Sequence, residues 1–141
     1  MAGAALTPRV RIMAVCDKVR ESRNETGVFH LRGVRQEIKA DTFPFVPAHL
    51  SLFLLLSSPR AGTYPGYVRV LSVRTDKAIF YSHLLPNPMF QESVEFLALH
   101  PRLSCSFAEP GRYSAEVCFF QEQGSDVIKG ELPLILVRNG A

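Results

Sequence analysis

The chain has 141 residues, of which 47% are hydrophobic and 21% are charged, and its formal net charge is +3. This length and composition suit one globular domain and exclude a disordered chain, while the weak positive charge does not demand a nucleic-acid partner. Ten prolines spread along the sequence argue against long helices and for short elements joined by turns.

The first periodic segment, RVRIMAVCDKV at residues 9–19, alternates in steps of two, which is the period of a β-strand. Seven further segments are apolar or alternating over strand lengths and are bounded by Gly, Pro and polar residues. The predicted strands cover residues 9–19, 28–38, 50–58, 67–75, 78–85, 94–107, 113–120 and 127–137. Gly33 predicts a bulge or a close backbone approach in the second strand, and Pro101 predicts a break in the sixth.

Two turns predict which of these strands pair. Asp76 and Lys77 form a tight turn, so strands 67–75 and 78–85 are expected to be an antiparallel hairpin. The AEPG sequence at residues 108–111 predicts a second turn, with Pro110 and Gly111 at its central positions. If Phe107 then lies opposite Arg112, Cys105 faces Ser114 and Cys118 faces Pro101.

Eight short strands at this spacing, with no helical pattern of ten residues, predict an all-β fold. The expected architecture is a single antiparallel β-sandwich of seven to nine strands with little or no helix. Residues 8–138 form the predicted domain, residues 1–7 an amino-terminal tail and residues 139–141 a carboxyl-terminal tail.

Several of these segments together resemble a known family. They are VCDKVR at 15–20, TGVFHLRGVRQEI at 26–38, EPGRYSAEV at 109–117 and GELPLILV at 130–137. The arrangement resembles a family of small bacterial β-sandwich proteins known only as a domain of unknown function, over nearly the whole chain. The resemblance implies a cytoplasmic Ig-like or C2-like sandwich in a bacterium, and it carries no catalytic residue.

The compartment is also predicted from cysteine usage and hydropathy. Cys16, Cys105 and Cys118 are odd in number and lack the tight spacing of a disulfide framework. No apolar run approaches the ~20 residues that a membrane-spanning helix needs. Arg9 and Arg11 interrupt the apolar amino-terminal stretch before it reaches the length of a signal peptide. We therefore expect a cytoplasmic protein that does not contact a membrane.

The sequence shows no recognisable catalytic constellation. The cysteines and histidines form neither a CxxC nor a His-x-His pair, and no nucleophile elbow or phosphate-binding loop is present. Cys16 is followed by Asp17, but adjacent strand residues point to opposite faces, so a buried thiol is expected there. These observations predict a protein that is not an enzyme and that has no metal or other cofactor.

Apolar residues exceed what one buried face per sheet requires. LSLFLLL at residues 50–56 is apolar on both faces, and Cys118 and Phe120 share the second face of their strand. We therefore predict a non-enzymatic interaction module that binds another protein or itself through an apolar sheet face or edge strand. The candidate contact residues lie in two connectors and are Phe43, Phe45, Val46, Met89 and Phe90. The alternative is that the long connectors fold over these surfaces and cover them.

Arginines suggest an alternative partner, a nucleic acid or another anionic polymer. The candidate anion contacts are Arg9, Arg11, Arg32, Arg35 and Arg69. If their strand faces align, they form a basic stripe that could follow a phosphate backbone. Acidic residues such as Glu21 and Glu37 interleave with them, and this pattern is also typical of an ordinary solvated sheet face.

Overall fold

The structure is a computed structural model that describes residues 7–58, 60–92, 96–121 and 124–140. In these ranges the chain forms β-strands and no helix, which confirms the predicted all-β class. The strands are β1 (Arg9–Glu21), β2 (Phe29–Val34), β3 (Glu37–Ala40), β4 (Ser51–Ser57), β5 (Gly62–Thr63), β6 (Gly66–Ser72), β7 (Lys77–His83), β8 (Met89–Phe90), β9 (Phe96–Leu99), β10 (Gly111–Phe119) and β11 (Val127–Arg138).

The strands form two main sheets and one two-stranded ribbon. The first sheet has the order β2-β1-β4-β9, the second has the order β3-β11-β10-β6-β7, and β5 pairs with β8. Residues from both main sheets contribute to one buried apolar core, including Leu52 and Leu54 of β4 and Val117 and Phe119 of β10. The architecture is therefore sandwich-like, with the apolar inner faces packed against each other.

Two features of the sheets correct the expectation of seven to nine antiparallel strands. Eleven strands occur in the described ranges, and β3 pairs with β11 in parallel. The parallel pair arises because the segment predicted as one strand over 28–38 divides at Arg35. The backbone N–H of Arg35 donates to Val15 of the first sheet, and the carbonyl of Gln36 accepts from Ile135 of the second. The short strands β5 and β8 lie in segments predicted as connectors.

The predicted hairpin around Asp76 is confirmed. Strands β6 and β7 pair antiparallel, and Ser72 lies opposite Lys77. The backbone N–H of Asp76 donates to the carbonyl of Ser72 over 2.7 Å. Asp76 has a φ of 57°, a left-handed conformation that Asp tolerates better than most residues because its short side chain can bond locally. Local turn chemistry was sufficient to predict this pairing.

The second predicted hairpin, at AEPG, is wrong. Strand β10 pairs with β6 and β11, so Ser114 lies opposite Leu71 and Pro133 rather than opposite Cys105. Phe107 instead forms an isolated bridge with Phe45. The chain turns a corner here because the buried Phe107 ring packs edge-on against Tyr113, whose hydroxyl donates to the Glu109 carbonyl over 2.7 Å.

The described residues of the predicted tails include Thr7 at one end and Asn139 at the other. Residues 1–6 and 141 of the predicted tails lie outside the described residues. Thr7 is buried at the start of the described chain. The backbone N–H of Asn139 donates to the carbonyl of Ala40, so hydrogen bonding to the second sheet continues to residue 139. In the ranges that the structure describes, no helix is long and apolar enough to span a membrane.

Candidate functional site

Each main sheet has an outer face that points away from the core, and strand register shows which residues share it. On the second sheet, Cys118 lies between Tyr67 and Ile128, and Tyr67 lies next to His83. In the neighbouring row, Glu116 lies between Arg69 and Glu131. We call this surface the aromatic face; it comprises Tyr67, Arg69, Tyr81, His83, Glu116, Cys118, Phe120, Asp126, Ile128 and Glu131.

Four rings on the aromatic face form a closed set of contacts, which we call the aromatic quartet. The Tyr67 ring stacks on Tyr81 at a centroid distance of 4.6 Å and contacts Phe120 at 5.1 Å. His83 completes the cycle, at 5.2 Å from Tyr81 and 6.0 Å from Phe120. These separations are typical of favourable aromatic pairs. Each ring is therefore held in place by two others.

The aromatic face has buried residues beneath the exposed rings of the quartet. Cys118 is 0% exposed and Tyr67 is 5% exposed. Tyr81 is 49% exposed and Phe120 is 39% exposed, and His83 is also exposed. Tyrosine and phenylalanine rings with this much surface in water, fixed on a sheet, are typical of protein contact sites.

Gly66 lets the backbone of β6 approach β10 directly below the quartet. A Cβ atom at this position would lie 2.8 Å from the carbonyl oxygen of Cys118 and 2.8 Å from the ring of Phe119. Real Cβ atoms do not approach a backbone oxygen so closely. The identity of residue 66 thus sets how Tyr67, the next residue, is placed beside Phe120.

A carboxylate lies beside the quartet. The Tyr67 hydroxyl donates to Oδ2 of Asp126 over 2.9 Å. Burial, followed by this bond, raises the pKa of Tyr67. Burial also raises the pKa of Tyr81, and the negative charge of Asp126 adds to that effect. The carboxylate of the exposed Asp126 is therefore close enough to influence both tyrosine hydroxyls.

The charged pair Arg69–Glu116 occupies the centre of the same face. Nε of Arg69 lies 2.7 Å from Oε1 of Glu116, and the Glu116 side chain is 6% exposed. The hydrogen bond to Glu116 raises the pKa of Arg69. Since Arg69 lies in the second sheet and bonds a buried carboxylate, it is separated from the other candidate arginines, which lie in or beside the first sheet.

Beyond the charged pair, the outer surface of β10 and β11 contains a shallow depression. Its volume is about 450 Å³. The lining residues are Val73, Arg112, Tyr113, Ser114, Glu131, Leu132, Pro133 and Ile135. Val73, at 58% exposure, shows that apolar side chains on this side of the molecule extend past the quartet.

The outer face of the first sheet has a different composition. Arg9 lies opposite Ser57, Arg32 lies opposite Lys18, and Arg20 lies opposite His30. Nε of Arg11 donates to Oγ of Ser57 over 2.8 Å. We call this surface the basic face; its cations, all exposed, are Arg9, Arg11, Lys18, Arg20 and Arg32. Apolar residues of β1, such as Ile12 and Ala14, lie between the cations at the two ends of that strand.

Arg35, the remaining candidate arginine, is engaged in an ion pair. Its Nε and Nη2 atoms lie 2.6 and 2.7 Å from the two carboxylate oxygens of Asp17. This hydrogen bonding lowers the pKa of Asp17. Gly33 has a φ of 66°, and a Cβ there would overlap the Asp17 carboxyl group, which gives the close approach predicted for this glycine. Three of the five candidate arginines therefore share the basic face.

The structure separates the five candidate contact residues. Phe90 is 1% exposed and belongs to the core, while Phe43 and Phe45 are half-buried and pack against that core. Val46 and Met89 are 58% and 55% exposed, in different connectors. The connectors thus cover part of the core, and the exposed aromatic surface lies on the sheet.

Sequence reasoning did not assemble the aromatic quartet, although part of its signal was present. Tyr81 and His83 have the same parity in one predicted strand, and Cys118 and Phe120 have the same parity in another. Their meeting depends on β6 lying between β7 and β10. That order is a non-local property which no short motif encodes.

The cysteines are free and buried. Burial raises the pKa of the Cys105 thiol to about 12 and also raises the pKa values of Cys16 and Cys118. Among the residues that the structure describes, no three His, Cys, Asp or Glu side chains are grouped as a metal ion would require.

Comparison with known proteins gives few matches. No known protein family matches the sequence, and no curated protein matches it. Among solved structures, the chain is similar to the soluble domain of PmoD from Methylocystis sp. ATCC 49242 (Rockwell), with 11% sequence identity and a TM-score of 0.39. The alignment covers 95% of this chain and 94% of that one.

Proposed function

We propose that the chain is a non-enzymatic interaction module that binds a protein, either a different protein or a second copy, through the aromatic face. The observation that carries this proposal is the aromatic quartet, in which Tyr81, His83 and Phe120 are exposed although all three are fixed by ring contacts. Exposed aromatic residues on a rigid surface are the usual centres of binding energy in protein interfaces.

The quartet is organised before any partner arrives. Its rings contact one another, and Tyr67 is anchored to Asp126. Ordering side chains on association costs about 0.5–1.5 kcal/mol each, and a surface ordered beforehand avoids most of that cost. Strand β7 carries Tyr81 and His83 and ends the sheet order, so a partner strand could pair with its backbone while contacting the rings.

The chemistry of the ionisable side chains supports binding rather than catalysis. Arg69 and Glu116 form an ion pair, and so do Arg35 and Asp17. The buried thiols have raised pKa values and are therefore weak nucleophiles at neutral pH. Three unbridged cysteines also support a reducing cytoplasmic location. Membership of the bacterial β-sandwich family of unknown function stays a prediction.

The test compares matched pairs of substitutions on the two outer faces. Tyr81→Ser with Phe120→Ser removes two exposed quartet rings, while Ile12→Ser with Phe96→Ser removes two exposed apolar side chains from the first sheet. Protein isolated from its native cells is analysed by size exclusion with light scattering at low and high salt.

We expect a complex that survives high salt, because apolar contacts are not screened. It should be lost in the first double variant and kept in the second. A chain that is monomeric throughout, or a complex that both variants retain, contradicts the proposal. The mass of the complex distinguishes a second copy from a different protein.

A nucleic acid or another anionic polymer is the second candidate partner, and the basic face favours it. From Arg9 to Arg20 the strand rises about 3.3 Å per residue, so its cations extend over about 36 Å. Binding of a fluorescent single-stranded oligonucleotide should weaken by at least tenfold between about 50 and 200 mM salt. Arg9→Glu with Arg20→Glu should abolish it. Oligonucleotide binding that changes neither with salt nor with this charge reversal would exclude the basic face as the binding site.

A further inference from the structure

We infer that the aromatic face recognises a cationic side chain, an arginine or a lysine carried by an extended segment of the partner. This inference rests on the proposed function, because it names the chemistry of the protein that the aromatic face binds. Three properties of the face lead to it: the exposed rings, the carboxylate of Asp126 beside them and the edge position of β7.

The rings provide the first part of the site. Tyr81 stacks on Tyr67 at 4.6 Å and still has about half of its surface exposed. The faces of aromatic rings are electron-rich and attract Lys and Arg cations, with Arg the more frequent partner because its planar guanidinium also stacks. Phe120 and His83 extend this surface, with their ring centroids 6.0 Å apart.

Carboxylates provide the second part. Asp126, Glu116 and Glu131 lie on or beside the face, with Arg69, the neighbouring Lys129 in the bulge of β11, and Arg112, which lines the depression together with Glu131. Glu116 is already paired with Arg69. Within the described ranges, Asp126 and Glu131 form no salt bridge. The carboxylate of Asp126 therefore lies beside the rings without an ion-pair partner among the described residues, whereas the basic face carries five exposed cations.

Asp126 lies close enough to the rings for one cationic group to contact both. Its carboxylate accepts a hydrogen bond from Tyr67 and influences the hydroxyl of Tyr81, so it lies at the margin of the quartet. A guanidinium over the Tyr81 ring would interact with both the ring and this negative charge. A neutral apolar side chain would gain only the ring contact, and an acidic one would be repelled.

The open edge of β7 explains why an extended segment carries the cation. Strand β7 pairs with β6 on one side, and no strand among the described residues pairs with its other side. A strand added there would place a residue beside Tyr81 with its Cβ about 4.5–5.5 Å away. An arginine at that position on the outer face would reach over the quartet without any movement of the sheet.

The probe is the peptide acetyl-Thr-Val-Arg-Val-Thr-amide, and its control is the same peptide with citrulline, a neutral isostere, in place of arginine. Both are titrated into the full chain while the NMR signals of Tyr81, His83, Phe120 and the β7 amides are followed. Asp126→Asn keeps an oxygen for the Tyr67 hydroxyl but removes the charge. Glu25→Gln, in an exposed loop beside the first sheet, removes a charge elsewhere.

We expect the arginine peptide to bind about tenfold more tightly than the citrulline peptide. The difference combines the interaction of the cation with the rings and its interaction with the Asp126 carboxylate. Asp126→Asn should weaken its binding about threefold, Tyr81→Leu should weaken it at least as much, and Glu25→Gln should leave it unchanged.

Equal binding of the two peptides, or no shift of the quartet signals with either, overturns the inference. If the light-scattering complex is still lost with Tyr81→Ser and Phe120→Ser, the proposed function survives that failure and the partner is recognised by apolar contact alone. If that complex is also absent, both proposals fail. Quartet signals that move with protein concentration, and not with the peptide, would identify a second copy as the occupant.

Discussion

The two outer faces of this sandwich are built by the same strand alternation, yet they present opposite chemistry. On the aromatic face, the central charges are paired and the rings are held by one another. On the basic face, long cationic side chains lie exposed at both ends of β1. The first surface is held by side-chain contacts and is suited to short-range contact, and the second carries exposed charges and is suited to long-range attraction.

This difference shows that a charge on a sheet face does not by itself indicate a charged ligand. Arg69 and Arg35 looked equivalent to Arg9 in the sequence, but both are bonded to carboxylates. Their role is structural, and the two ion pairs differ in burial. They therefore offer a way to compare the stability that a buried and an exposed ion pair contribute.

The largest effect is expected for Arg69→Ala on the aromatic face. It leaves the Glu116 carboxylate, 6% exposed, without its cation, and an uncompensated buried charge costs about 3 kcal/mol. Urea denaturation measures the change in the free energy of unfolding. The double variant Arg69→Met with Glu116→Leu should restore most of the loss. A cost below about 0.5 kcal/mol for the single variant would show that Glu116 is not held by Arg69.

A smaller effect is expected for Gly66→Ala, below the quartet. The added Cβ would meet the Cys118 carbonyl oxygen at 2.8 Å, and relieving that overlap should cost about 2 kcal/mol by shifting β6. Thermal unfolding measures the loss, and the NMR signals of Tyr67 and Phe120 should move with it. Unchanged ring signals together with an unchanged melting temperature would refute the close approach.

The smallest effect is expected for the exposed pair beside the basic face. The hydrogen bond from Arg35 lowers the pKa of Asp17 below its ordinary value of 3.8, so the ionised form is favoured in the folded chain. The pair therefore stabilises the fold above pH 3.8, and this contribution disappears as the pH falls through the lower folded value.

Because the side chains of Asp17 and Arg35 are 33% and 45% exposed, we expect only about 0.5 kcal/mol from this pair at neutral pH. The difference in unfolding free energy between wild type and Asp17→Asn should shrink on acidification. The matched substitution Glu25→Gln should show no such trend. A difference that grows towards low pH would contradict the assigned direction of the pKa change.

The sequence was sufficient for features that depend on neighbouring residues. Alternation located β1 and β10, and the Asp76 turn predicted the β6–β7 pairing. Features that depend on distant partners were missed. Residues 28–38 divide between two sheets because Arg35 and Gln36 bond to different ones, and the AEPG turn joins sheets because Phe107 pairs with Phe45.

The candidate site follows the same rule. Alternation predicts that cationic residues lie on β1 and β2, and Arg9, Arg11 and Arg32 do share a face. Predicting the aromatic quartet would have required the order of strands β10, β6 and β7 and the position of Asp126 beside Tyr67. Both depend on tertiary packing and not on neighbouring residues. Phe90 was misplaced because an aromatic residue in a connector can as readily cover the core as face a partner.

Site-specific photo-crosslinking tests most directly whether the aromatic face is the contact surface. A benzophenone amino acid replaces Tyr81 in one variant and Phe96, an exposed ring on the opposite outer face, in the other. After irradiation of native cells, we predict a discrete protein adduct from position 81 and none from position 96. An adduct from position 96 alone, equal adducts from both positions, or none from position 81 would contradict the account.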